Sequence, residues 1–267
     1  MNEFFKKLPR VFHLVRYHYS VFFRKLRSYP PLALCVLVLY LMYEDPPVNI
    51  VQGYLSATML LFFVMVWFGY SFLSDFDTTT EHLLTLQINS KLQFAASKIL
   101  FLVAVTLALS VMGGMVPVII QAIFSIRGAT YIPYGIRVAD FFGGVFLHFI
   151  VGILGAAAAF LFHPNPTKQD STIAVLALIL FAILAFVKHR IFEFEGALRH
   201  LLLVFTPVYE IMSLFSDKRT FAAGDLLLAA AYGIIYFLII VALGYWIYIK
   251  RVYGPIVAVN SPKKSGQ

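Results

Sequence analysis

Residues 99–126 read ILFLVAVTLALSVMGGMVPVIIQAIFSI and hold no Asp, Glu, Lys or Arg. As a helix rising about 1.5 Å per residue, that run extends about 42 Å. A bilayer core is about 30 Å thick and takes about twenty apolar residues to cross. Working outward, residues 46–74, 141–162 and 226–249 repeat the pattern. Residues 28–43 and 171–187 do so over shorter lengths, and Arg27, Lys188 and Arg190 at their edges can snorkel to the interfaces. Backbone in lipid must satisfy its own hydrogen bonds, so these six segments are expected to be helices. None alternates apolar with polar residues, which excludes a membrane β-barrel.

The expected fold is an all-α integral membrane protein with six transmembrane helices. An N-terminal amphipathic interfacial helix precedes them, and a re-entrant helical hairpin comes before the last span. Composition agrees: 61% of the 267 residues are hydrophobic and 13% charged, against about 45–50% and about 25% in soluble domains. The organisation reads as an interfacial or elbow helix over 1–29, a membrane domain over 30–250 and a tail over 251–267. Within the membrane domain lie a coupling loop at 75–98 and an outer re-entrant segment at 189–225. No stretch between spans is long enough for a soluble domain, so any energy-coupling module belongs to another polypeptide. The single Cys35 falls inside the first span and reads as a buried packing thiol, and no multi-cysteine metal site is expected.

The net charge of +8 is not a nucleic-acid signal. Lys6, Lys7, Arg10, Arg16, Arg24, Lys25 and Arg27 crowd ahead of the first span, where positive charge orients a membrane protein. Phe4, Phe5, Leu8, Val11, Phe12, Val15, Tyr19, Phe22, Phe23 and Leu26 recur there at helical spacing, with the basic residues largely opposite. That is a helix lying in the membrane interface, expected to start or break at Pro9. The stretch lacks the features of a cleaved signal. The expected location is the cell membrane, multi-pass, with both termini cytoplasmic. Lys188, Arg190, Arg199, Lys218 and Arg219 would then lie outside, against the usual bias.

The segment 197–215 is apolar but carries Arg199, Pro207 and Glu210. Two readings stay open. It is a seventh span that buries a charge, or a pair of short helices, broken near Pro207, that dip and return. The second is preferred because it keeps the basic tail inside.

The loop 75–98 is the most polar internal segment. Thr78-Thr79-Thr80-Glu81 has capping-box spacing, in which Thr78 caps the Glu81 amide and Glu81 reaches back. A short helix bearing His82, Leu83, Leu84 and Leu86 should follow, and Ser90 should cap a helix that starts at Lys91 and runs into the third span. Leucines on an exposed short helix call for a partner to cover them. Gly113, Gly114, Gly143, Gly144, Gly152 and Gly155, with Ala156–Ala159, read as close helix packing in lipid.

Catalytic signatures are missing: no nucleotide-binding loop of the GxxxxGK[ST] type, no HExxH and no GxSxG. No enzymatic activity is expected. The spans hold almost no ionisable groups, which argues against an ion-coupled carrier. His148 stands alone in the fourth span and reads first as a neutral packing residue with a hydroxyl or carbonyl partner. With Phe62, Phe63, Trp67 and Tyr70 it forms a candidate translocation path. Their alternative reading is lipid-facing or core aromatics.

Glu81-His82-Leu83-Leu84-Thr85-Leu86, then Ser90-Lys91-Leu92-Gln93 and Ala96-Ser97-Lys98-Ile99-Leu100, together with the basic N-terminal helix and the Thr206-Pro207 segment, resemble the membrane subunit of ABC-2 type transporters. The resemblance covers most of the chain and fits half-size permeases without a fused ATPase. It implies a cytoplasmic ABC ATPase subunit as partner, a second permease subunit in a homo- or heterodimer, and contact with membrane lipids. ATP and Mg would bind the partner, with no cofactor on this chain. Thr78, Glu81, His82, Leu83, Leu84, Leu86 and Lys91 would form the ATPase-coupling element. The alternative function is a membrane-embedded accessory or immunity protein that binds a peptide or lipid without pumping.

Overall fold

The computed structural model describes residues 2–43, 49–75, 78–88, 90–126, 128, 131–132, 135–162, 168–191 and 207–253. At 2–9, 78–79, 82, 168–171, 187–191 and 251–253 it describes backbone alone. Every element among the described residues is helical. Helix α1 covers Asn2–Phe22 and is followed by a 3-10 turn, Leu26–Ser28, and by α2, Tyr29–Met42. The two arms meet at 96°, an elbow. Pro9 neither starts nor breaks α1, which runs through it. A proline removes one backbone hydrogen bond and crowds the carbonyl four residues earlier, and here that cost does not end the helix.

Three apolar helices follow the expected spans closely: α3, Ile50–Leu73; α5, Lys91–Ile126; and α6, Val138–Leu161. Between α3 and α5 lies α4, Thr78–Ile88. Helix α7 covers Lys168–Ile191, α8 is the short Val208–Ser213, and α9 covers Ala223–Tyr253. Helices α3, α5, α6 and α9 are each long and apolar enough to cross a membrane, and the chain is membrane-embedded on that ground. Helix α2 has 14 residues. The apolar part of α7 covers Thr172–Phe186.

Local signals explain most boundaries. The Asn49 side chain accepts from the Gln52 amide at 2.9 Å and starts α3. Ser90 caps α5, its Oγ accepting from the Gln93 amide at 3.3 Å. Helix α4 includes Thr78 instead of following it, so the expected capping-box register shifts, and the Thr78 side chain lies outside those described.

Helix α6 is the centre. Of its apolar window 78% is buried, against 17% for α9. Small residues make this possible. A Cβ on Gly155 would sit 2.5 Å from the Phe62 carbonyl oxygen, and one on Gly144 would sit 2.6 Å from the Tyr54 ring. Without these glycines α3 and α6 could not approach so closely, the contact that drives helix association in lipid.

The bundle has two distinct ends. At one, the Tyr131 hydroxyl donates to the Tyr43 carbonyl, and the Phe221 amide donates to Asp140 at 3.4 Å, so the ends of α2 and α8 and the starts of α6 and α9 meet. At the other, His18 of α1 meets Ser97 of α5, and Lys98 lies 5.3 Å from the Tyr248 ring of α9. Helices α1 and α4 and the last turns of α9 therefore share one end, called the basic end below. Helix α8 is not a surface turn. Its Ile211 lies fully buried beside Gly233 and Ile150, ten or more residues into α9 and α6 from their starts. Residues 192–206, which include Arg199 and the first half of the 197–215 run, lie outside the described ones, as does the tail beyond Tyr253.

Candidate functional site

The basic end contains a charge pair with no access to water. Lys98 is 0% exposed and Glu81 3% exposed, and Lys98 Nζ donates to Glu81 Oε1. Lys98 comes from the second turn of α5 and Glu81 from the first turn of α4, so the pair fastens the short helix to the long one. Lys98 also lies 4.8 Å over the Phe94 ring. A buried ammonium is tolerated only when paired and surrounded by favourable dipoles. Removing one partner strands the other charge, which typically costs about 3–5 kcal/mol.

Helix α1 closes the site from the side. His18 Nε2 lies 2.9 Å from Ser97 Oγ, and that hydroxyl donates onward to the Phe94 carbonyl at 2.7 Å. The His18 ring packs edge-on against Phe72, Phe94 and Phe101. Burial, and then the Lys98 charge, push His18 down to about 3, with Glu81 opposing. The imidazole is therefore neutral at ordinary pH, and the hydroxyl relay fixes a proton on Nε2. Phe22, Phe68, Phe72 and Phe101 extend this aromatic packing. Next to it, Lys25 pairs with Asp75 at 2.7 Å and ties the elbow to the end of α3.

The expected coupling residues divide on this helix. Glu81 does not face outward: it is spent on Lys98. Its carboxylate accepts from a buried ammonium, a charge-assisted bond in a dry site. Leu84 is half-buried, while Leu83 at 58% and Leu86 at 76% exposure form the outward edge. Lys91 is exposed at the start of α5. The side chains of Thr78 and His82 lie outside those described. Lys98, Ser97 and His18 were missed as site residues by sequence reasoning. The available signal was a lysine one residue before a long apolar run, which in a membrane helix demands a named counter-charge.

The candidate path residues also divide. His148 is fully buried between α3, α5 and α6. Its Nδ1 lies 2.6 Å from Thr58 Oγ1, which in turn donates to the Tyr54 carbonyl at 2.7 Å. That is the hydroxyl partner expected of a neutral packing histidine. Phe62 is buried on the same seam, one turn on from Thr58. Phe63 stacks on Phe186 of α7, with centroids 5.2 Å apart, and Phe62 meets the same ring edge-on at 5.4 Å. Trp67 is 43% exposed, and Tyr70 is half-buried. His148 and Phe62 are therefore enclosed within the chain, while Trp67 opens outward. Cys35 is buried and free, as expected. No cluster of His, Cys, Asp and Glu suited to a metal occurs among the described residues.

At the opposite end, Asp140 holds Arg137 through two bonds of 2.9 and 3.1 Å, and Lys218 pairs with Asp225. The Asp140 carboxylate raises the Arg137 pKa above its ordinary value, so this guanidinium stays charged throughout. These groups anchor the chain between helices at that end. Comparison with protein-family models, with curated proteins and with solved structures finds no match for this chain.

Proposed function

We propose that this chain is the membrane permease subunit of an ATP-driven exporter of the ABC-2 type. It couples ATP hydrolysis on a separate ATPase subunit to substrate export. The observation that carries the reading is α4: a short helix outside the apolar bundle, pinned to α5 by a buried ion pair, with Leu83 and Leu86 turned outward. A partner that grips those leucines moves α4. Helix α5 must follow, because letting go would strand a buried charge. Differential contacts in two states of the ATPase are what such coupling requires.

The proposed topology has six spans, α2, α3, α5, α6, α7 and α9, with both termini cytoplasmic and the protein in the cell membrane. The meeting of α1, α4 and the end of α9 at one end supports an even number of crossings over the seven that a transmembrane 197–215 would give. The depth of Ile211 supports α8 as the returning limb of a re-entrant hairpin. A second permease subunit would cover the outer face of α3 and turn Phe63, Trp67 and Tyr70 into the wall of a path. ATP and Mg would be bound by the ATPase.

The burial of His148 and Phe62 inside one chain also suits a non-pumping accessory or immunity protein that binds a peptide or lipid at its surface. Affinity purification of the tagged chain from its native membrane separates the two. The exporter reading expects an ABC-type ATPase to co-purify in near-stoichiometric amount. Its absence under conditions that retain the intact membrane domain would favour the accessory reading.

A further inference from the structure

Helix α5 changes character at Pro117. Between Phe94 and Pro117 it buries a continuous stripe that includes Lys98, Leu102, Leu109 and Gly113. Beyond Pro117 no residue of 118–126 is buried, and Ile119, Ile123 and Ile126 are 50%, 44% and 86% exposed. The helix nevertheless continues unbroken to Ile126. Proline has no amide proton, so the Gly113 carbonyl four residues back loses its helical donor and is crowded by the ring. Gly113 and Gly114 add no side chain to stiffen that turn. Sharp helix bends arise at prolines and at small residues of this kind. One weak turn therefore separates a packed arm, 91–112, from a loosely held one, 118–126.

The neighbouring helices are fitted to this turn. A Cβ on Gly113 would lie 3.0 Å from His148 Cδ2, and one on Gly114 would lie 2.4 Å from Val145 Cγ2, so α6 sits directly against it. Tyr54 of α3 is fully buried and donates its hydroxyl to the Gly114 carbonyl at 3.2 Å. In lipid, backbone disturbed by a proline is satisfied by side chains of neighbouring helices. The Tyr54 ring is itself seated on Gly144, in the close-packed α3–α6 seam, so its hydroxyl is a fixed point for α5.

The outer arm is tied to a second element. Gln121 Oε1 accepts from the Ile132 amide at 2.8 Å, and the Phe124 ring packs on Tyr131 with centroids 4.9 Å apart. The Tyr131 hydroxyl in turn donates to the Tyr43 carbonyl at the end of α2.

We propose that 113–117 is a hinge in α5 and that the Tyr54 hydroxyl is its latch. With the bond to Gly114 made, the two arms hold as one helix against the seam. With it broken, the outer arm swings and carries Tyr131, Ile132 and the end of α2. The device does not rest on the export reading, because it uses contacts within this chain alone.

Spin-label distance distributions on the full chain in lipid nanodiscs test it, in a C35A background. The outer arm is read by I123C with Q52C on α3, and the packed arm by L100C with W67C on α3; all four positions are exposed. Y54F keeps the ring and removes only the hydroxyl. In Y54F the outer pair should give a distribution at least twofold broader than in the wild-type chain, while the packed pair stays unchanged. Y54F/P117A gives the Gly113 carbonyl its amide donor again and should return the outer pair to the wild-type width. An outer pair that does not broaden in Y54F would overturn the latch. Breadth that survives P117A would overturn the hinge, because loose packing beyond Pro117 would then explain it. Should the double variant fail to fold, P117A alone against the wild-type chain makes the same comparison, and an outer pair that does not narrow there would also overturn the hinge.

Discussion

His148 and His18 are both buried, and each gives a ring proton to a hydroxyl that passes its own proton to a helix carbonyl. They hold different kinds of structure. His148 lies on the α3–α6 seam, where glycines leave no room for a sideways step and no ionised group is near. His18 lies where three elements meet at the basic end, beside the buried Lys98–Glu81 pair. The first region is stable because shapes fit over many contacts. The second adds a few strong, directional bonds to the aromatic packing of α1 on α3 and α5. A seam of close fits resists movement everywhere, whereas an ion pair lets a short helix pull a long one as a unit. The comparison assigns rigidity to the middle of the bundle, and the proposed coupling would act at its basic end.

The largest expected effect lies at the ion pair. K98M leaves Glu81 buried and uncompensated and should cost about 3–5 kcal/mol, read as loss of the folded fraction in detergent. The double variant E81L/K98M replaces the pair by apolar groups and should recover most of that stability. If the double variant is as damaged as the single, the pair is not what binds α4 to α5. The same reasoning makes Glu81→Ala a poor probe of partner binding, since it breaks the fold before it tests a surface.

The seam should respond next. G155A drives a methyl into the Phe62 carbonyl oxygen, and overpacking of this kind costs about 1–3 kcal/mol. Gly224, where a Cβ meets nothing within 4 Å, is the control, and G224A should leave the unfolding midpoint unchanged. Equal tolerance of both substitutions would mean the seam is looser than its geometry.

The smallest of these effects is a pH response confined to the basic end. His18 falls to about 3 in the folded chain from an ordinary value of 6.5. Its depressed pKa gives stability that is complete above pH 6.5 and is lost progressively as pH falls towards 3. Between pH 6.5 and 5 the loss should reach about 2 kcal/mol. Hydrogen exchange should show α1 opening over that range while α3 and α6 stay protected. H18Q should flatten the response, and an unchanged slope in H18Q would assign it to other groups.

The helices themselves were legible in the sequence, because lipid demands long uncharged runs and Ser90 and Pro207 punctuate them. The elbow was legible from the basic, aromatic face of residues 1–29. Pro9 misled, since propensity is overridden when the rest of a helix is held in place. The site was half-legible. The short helix and its leucines followed from Thr78–Glu81 spacing, but the same motif suggested that Glu81 serves a cap. Its buried counter-charge, Lys98, is seventeen residues away, and no local rule pairs them. His18 and Ser97 are 79 residues apart, so only the packing of α1 on α5 reveals their bond. That Phe62 and Phe63 share the Phe186 ring was hidden for the same reason, because Phe186 lies on α7, far along the chain.

The central claim is that α4 passes force through its exposed leucines while its buried ion pair holds α5. Stimulation by the reconstituted chain of the ATPase that the export proposal expects to co-purify tests it most directly, comparing the wild-type chain with L83D/L86D. Both substitutions lie on exposed positions and leave Lys98 and Glu81 intact. The account predicts a double variant with an unchanged unfolding midpoint and at least a tenfold loss of stimulation. Full stimulation by a correctly folded L83D/L86D chain would contradict it, leaving α4 as a connector and not a coupling helix.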